Sequence, residues 1–182
     1  MADRAAPAID QTANLLGALS LLLADRMADA MGEAGGRPES AAAALGALLH
    51  FLDRPAVDLL RQVLGLTSSG TVRLVDRMAE SGYVERGPGG DGRSTSVTLT
   101  QAGQAAAHRV AAARAGVLED ALAGLPHGDR DELRRILGTM LAGLMRGPGA
   151  VRWMCRLCDT GACRGAAGGC PVGNAARERY LS

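Results

Sequence analysis

From Ile9 to about Met31, the positions Leu15, Leu19, Leu23, Met27 and Met31 recur every fourth residue, and Leu16 and Leu22 widen the stripe. That spacing predicts a long amphipathic helix. Gly32 to Pro38 interrupt it. Ser40 stands where a cap would start a second apolar helix running through Leu52. Pro55 opens a third that ends near Gly65, and Thr67 leads a fourth to Ser81–Gly82, with Leu74, Val75 and Met78 inward. The period then drops to two. Tyr83–Arg86 reads as a short strand, and Thr95–Thr100 alternates, with Val97 and Leu99 on one face. Gly87-Pro88-Gly89-Gly90-Asp91-Gly92 lies between them, so the segment predicts a two-stranded hairpin.

Thr100 then caps a fifth helix through Leu125, and Pro126 to Gly128 turn the chain. Asp129 and Glu132 have the spacing of a capping box. The sixth helix carries Leu133, Ile136, Leu137, Met140, Leu141, Leu144 and Met145 at i, i+3, i+4, i+7, and Gly147-Pro148-Gly149 ends it. Beyond Val151 the chain turns rich in Cys, Gly and Arg, with a tail to Ser182. So short a piece cannot bury a core of its own and needs a staple or a neighbour.

Of the 182 residues, 47% are hydrophobic but only 2% aromatic, so the core must be aliphatic. This favours packed helices over a β-sandwich. Net charge is +1 and every basic residue is Arg, the better side chain for bidentate contacts to phosphate or guanine. No apolar run reaches the ~18–20 residues of a membrane span. The leucine-rich stretch from Leu15 follows Asp3, Arg4 and Asp10, unlike the basic leader of a secretory signal, so a cytoplasmic protein with no membrane partner is expected. His50, His108 and His127 lie far apart and no nucleophile–base order stands out, so no enzyme is expected. Gly87-x-Gly89-x-x-Gly92 matches a dinucleotide fingerprint in form, but it joins two strands, and that chemistry needs a strand-to-helix turn.

Helices, then a hairpin, then more helix is the order of a winged helix-turn-helix, in which one helix enters a major groove and the hairpin tip reaches a minor groove. The stretch Leu64-Gly65-Leu66-Thr67-Ser68-Ser69-Gly70-Thr71-Val72-Arg73-Leu74-Val75-Asp76-Arg77-Met78 continues through Glu80-Ser81-Gly82-Tyr83-Val84-Glu85-Arg86. With Asp91-Gly92-Arg93 and Val97-Thr98-Leu99-Thr100-Gln101-Ala102-Gly103, it resembles the MarR family of bacterial transcription regulators, over roughly residues 10–146. The resemblance implies a mainly α fold with a small β-hairpin wing: a winged helix-turn-helix domain at 40–100 and a helical dimerisation region at 8–39 and 101–146. It also implies a homodimer on double-stranded DNA at a pseudo-palindromic operator, and Arg93 matches the family position that enters the minor groove.

The residues themselves agree with that expectation. Thr67, Ser68, Ser69 and Thr71 open the fourth helix, where free N–H groups and short hydroxyls can meet phosphate. Arg73 and Arg77 are four apart and share a face, with Asp76 and Glu80 as competing local partners. Asp91 is placed to orient Arg93 through an ion pair. From Ser68 to Thr100 four arginines meet four acids, so affinity must come from where the arginines sit and not from a basic field.

Cys155-x2-Cys158-x4-Cys163-x6-Cys170 sets four thiols within 16 residues, at 150–172, ahead of a tail at 173–182. Four thiolates at such spacing suit a Zn2+ ion, the first expectation, or an iron–sulfur cluster, whose C-P ending Cys170-Pro171 echoes. Free thiols or a disulfide are the bland alternative. Arg152, Arg156 and Arg164 would offset thiolate charge, and Trp153 would pack the extension on its neighbour. The expected protein is a repressor whose Cys site is structural or senses metal or redox state. The alternative is a repressor answering a small aromatic or drug-like molecule, with a purely structural zinc. A thiol oxidoreductase built on Cys155 and Cys158 lacks its βαβ context, and a protein-interaction module remains as a fourth reading.

Overall fold

The computed structural model describes residues 9–89, 94–147, 149–165 and 169–180. Asp10 caps the first helix, its carboxylate accepting from the Ala13 N–H at 2.7 Å, and α1 (Gln11–Met31) follows. It does not stop at Gly32. A wide helical turn carries on through Gly32–Gly36, and Gly35 there takes φ 101, which its missing Cβ permits. α2 (Glu39–His50) is the central element: Ala41 to Ala47 are buried without a break, as an alanine-rich helix surrounded by others should be. It begins directly behind Pro38 with no side-chain cap, so Ser40 sits inside the first turn and does not cap it.

α3 (Val57–Leu64) likewise starts later than Pro55. The hairpin accounts for the delay: the Pro55 carbonyl accepts from the Val97 N–H at 3.0 Å, and Ala56 bridges Ser96. Gly65, at φ 66, closes α3 in the left-handed conformation. α4 (Ser68–Glu80) starts at its expected cap, Thr67, whose hydroxyl accepts from the Gly70 N–H at 3.1 Å. β1 (Val84–Pro88) and β2 (Thr95–Leu99) pair antiparallel, Val84 opposite Leu99 and Gly87 opposite Ser96. The strict alternation expected of β2 fails. Val97 faces the core, yet Ser96 is also buried, its hydroxyl donating to the Pro88 carbonyl, and Leu99 is only half-buried.

Thr100 caps α5 (Gln101–Leu122) and ties it to the hairpin, accepting from the Gly103 N–H at 2.9 Å and donating to the Gly82 carbonyl at 2.6 Å. α6 (His127–Leu144) starts at Pro126 without a side-chain cap. Asp129 lies within its first turn and Glu132 turns to Arg135 at 2.6 Å, so the expected capping box does not form. The Cys-rich segment holds α7 (Ala150–Met154) and α8 (Thr160–Gly165), and the expected tail is a helix, α9 (Pro171–Tyr180). Pro171 suits a first helical position, where its missing N–H costs nothing.

The main core joins α2, α3, α4, the hairpin and the start of α5 around Leu45, Leu60, Val63, Leu74, Val75, Val97 and Val110, each 2% exposed or less. At about 1.5–3 kcal/mol per large aliphatic side chain, these carry the winged half. A second, smaller core packs Val172 and Ala176 of α9 on Met145 after α6. By contrast α1 and α6 leave Leu15, Leu19, Leu137 and Leu144 between 43% and 64% exposed. No described helix is long and apolar enough to cross a membrane.

Candidate nucleic-acid interface and four-thiol pocket

α4 is two-sided because its apolar residues recur at helical spacing. Thr71, Leu74, Val75 and Met78 are buried, so the opposite face must look outward. That face carries Ser68, Ser69, Val72, Arg73 and Arg77, all exposed. Arg73 lies along the helix, its Nε donating to the Ser69 carbonyl at 3.3 Å and an Nη to the Ser69 hydroxyl at 3.5 Å. Arg77 has no ion pair among the described residues. Of the two acids expected to compete for these arginines, Asp76 accepts from Arg86 of β1 at 2.6 Å, and Glu80 forms no ion pair among the described residues. Two arginines are therefore left at the surface on one helix face, and an exposed N-terminal turn precedes them.

Thr71 has to be withdrawn from the contact set. It is fully buried, and its hydroxyl donates back to the Thr67 carbonyl at 3.0 Å, so it braces the first turn and cannot reach a ligand. Thr67 stays exposed, but its hydroxyl already serves as the cap. Asp91 and Arg93 lie outside the described residues. Val72, 45% exposed between Ser69 and Arg73, is a surface residue that the sequence reading passed over. An apolar side chain there is suited to a thymine methyl. Its signal was present, since it falls on the polar side of the α4 stripe.

The four cysteines come together. All are unoxidised and half-buried, and they line one pocket of about 220 Å³ with Phe51, Val151 and the Arg152 stem among its other walls. Their sulfurs lie near enough to act on one another, Cys155 on Cys158 through a side-chain hydrogen bond. The bond from Cys155, and then the charge of Arg114, hold Cys158 down at about 6 against the burial that opposes them. Cys155 is pushed up by that same bond and by burial. Cys163 is pushed up by burial and by its sulfur neighbours. Among the described residues, no three His, Cys, Asp or Glu side chains form a group that could hold a metal ion.

Of the arginines expected near the thiols, only Arg152 lines the pocket. Arg156 stacks on Trp153 at 4.7 Å and donates to its carbonyl, and the Arg164 side chain is outside the described set. The cation that does bear on Cys158 is Arg114 of α5, whose buried Nε has no hydrogen-bond partner. Nothing local in an alanine-rich helix marks it; only the fold brings it to the cysteines. The extension docks on the winged half through Leu157 against Gly46 of α2 and through Thr160, whose hydroxyl donates to the His50 carbonyl at 3.2 Å. Trp153 packs at Gly65 beside α3, as expected of an anchor. It also walls a larger pocket of about 600 Å³, with Leu59 and Val63 of α3, Leu144 of α6 and Met154.

Residues 36–94 match the model of the MarR family. A MarR family protein from Bacillus stearothermophilus superposes with a TM-score of 0.66 at 22% identity, covering 76% of this chain and 100% of that one. MepR, a transcription regulator of the Staphylococcus aureus multidrug efflux pump MepA, gives 0.63 at 15% identity, over 75% and 100%. CouR from Rhodococcus jostii RHA1, solved with p-coumaroyl-CoA, gives 0.55 at 21%, over 72% and 91%. A search of curated proteins finds no match. The fold is that of MarR winged-helix structures, and the family's model matches about a third of the chain. Each neighbour leaves about a quarter of this chain unmatched.

Proposed function

We propose that this chain works in the cytoplasm as a dimeric MarR-type repressor. Its outward α4 face enters the major groove of a pseudo-palindromic operator, and Arg93 at the wing tip reaches the minor groove. The observation that carries the reading is the division of α4: a buried apolar side holds it in the core, and Ser68, Ser69, Val72, Arg73 and Arg77 share the free side. An arginine pair with an exposed N-terminal turn suits base edges and phosphates together. The leucines that α1 and α6 leave uncovered support the dimer, because burying them against a second copy would remove an apolar surface rarely left open.

The test is selection of bound duplexes from random DNA followed by anisotropy titration of the winner. We expect two half-sites about one helical turn apart, and losses of ~1–3 kcal/mol for Arg77→Ala and for Arg93→Ala. No enriched sequence, or unchanged affinity in both variants, would overturn the reading.

The four-thiol extension is the point where a metal or redox signal enters, since it docks on α2 and comes within the influence of α5. A second reading has its own observation. The 600 Å³ pocket between α3, the end of α6 and Trp153 falls in the usual range for small-molecule sites, and the CouR structure shows a MarR-fold protein with an aromatic acyl ligand. In that version an aromatic effector releases DNA and the thiols hold a structural zinc. Release of operator by simple aromatic acids, lost in Trp153→Ala, would favour it.

A further inference from the structure

We infer that Val72 is a specificity-determining residue that reads the C5 methyl of a thymine in each operator half-site. The inference rests on the proposed entry of α4 into the major groove and names one base that it selects. Three observations carry it. First, Val72 stands apart from the other exposed apolar side chains. Among the described residues of 32–135 it alone is a large hydrophobic left exposed, at 45%. The rest lie at α1, on α6 or in the C-terminal extension, so a dimer formed through α1 and α6 gives no account of Val72.

Second, the helix itself does not favour valine there. A β-branched side chain lowers helix propensity relative to alanine, and on the outward face of α4 it gains no core packing in return. Third, the space beside Val72 is open. It lines a depression of about 250 Å³ with Val57 of α3, Arg86 of β1 and Thr95 of β2. Arg86 is held by Asp76 at 2.6 Å and Arg73 bonds back to Ser69, which leaves the valine methyls uncovered.

Those methyls have neither donor nor acceptor, so they cannot bond to phosphate or to the polar edges of guanine, adenine or cytosine. The thymine methyl is the apolar group that base pairs present in the major groove, and an aliphatic side chain is its natural contact. Ser69, Val72 and Arg73 share a face at i, i+3 and i+4, so the methyl contact falls beside the group that Arg73 meets.

The experiment uses the full chain and the duplex enriched from random DNA. Each thymine in turn is replaced by deoxyuridine, which removes the methyl and keeps the base pairing, and affinity is read by anisotropy. We expect one thymine in each half-site where the loss is about fourfold, the size set by one buried methyl. Val72→Ala should bind the parent duplex at least as weakly as the unchanged protein binds the deoxyuridine duplex, and should no longer tell the two apart. It should fold as the parent does, since alanine is the better helix former.

A duplex set in which no thymine methyl matters overturns the inference. So does a methyl effect that Val72→Ala keeps undiminished. Either outcome leaves the operator reading standing, whereas selection that enriches no sequence overturns both.

Discussion

The winged half and the C-terminal extension are stabilised in different ways. The first surrounds α2 with α3, α4, α5 and the hairpin, and its large aliphatic side chains are almost wholly out of water. The second packs little more than Met145, Val172 and Ala176, and depends on polar ties such as Arg179 to the Ala142 carbonyl at 2.7 Å and the Tyr180 hydroxyl to the Gly147 N–H at 3.0 Å. A domain can rest on the first kind of packing. The second leaves a segment whose order depends on its neighbours.

The largest break in this contrast should come from Leu74→Ala, which opens a cavity in the main core; we expect a loss of about 2–5 kcal/mol in a denaturant melt. Val172→Ala should cost about 2 kcal/mol, and the loss should be local. Faster hydrogen exchange confined to α7–α9, with the main transition in place, is the expected outcome; a drop in the main transition as large as that of Leu74→Ala would make the two cores one cooperative unit. Thr67→Ala removes the α4 cap and should cost about 1 kcal/mol, read as a lower melting temperature. Asp76→Asn sharpens the comparison from the small side. Its ion pair with Arg86 is well exposed, so stability should move by less than about 1 kcal/mol while operator affinity rises as Arg86 is freed. Weaker DNA binding would contradict that account of the acid.

The apolar periods of α1, α4 and α6 and the caps at Thr67 and Thr100 were legible because each depends on residues within a turn of one another. Failures came where a distant partner decided. Pro55 is drawn to β2, so α3 starts later, and Ser96 is buried by a bond to Pro88 that alternation cannot foresee. Thr71 looked like a surface hydroxyl by type but sits on the inward side of α4, a position its spacing from Leu74, Val75 and Met78 already implied. The thiol cluster was legible in its spacing. Arg114 was not, because only the fold brings its charge within reach of Cys158.

Gly103 fixes how α5 meets the hairpin. A Cβ there would lie 1.8 Å from the Tyr83 carbonyl oxygen, so the first turn of α5 presses backbone to backbone on the root of the hairpin. Thr100 pins the same joint from the other side. An alanine at position 103 would have to push two backbones apart, so the angle at which α5 leaves the hairpin is set by one missing methyl group. Gly103→Ala should shift the wing root and lower the melting temperature.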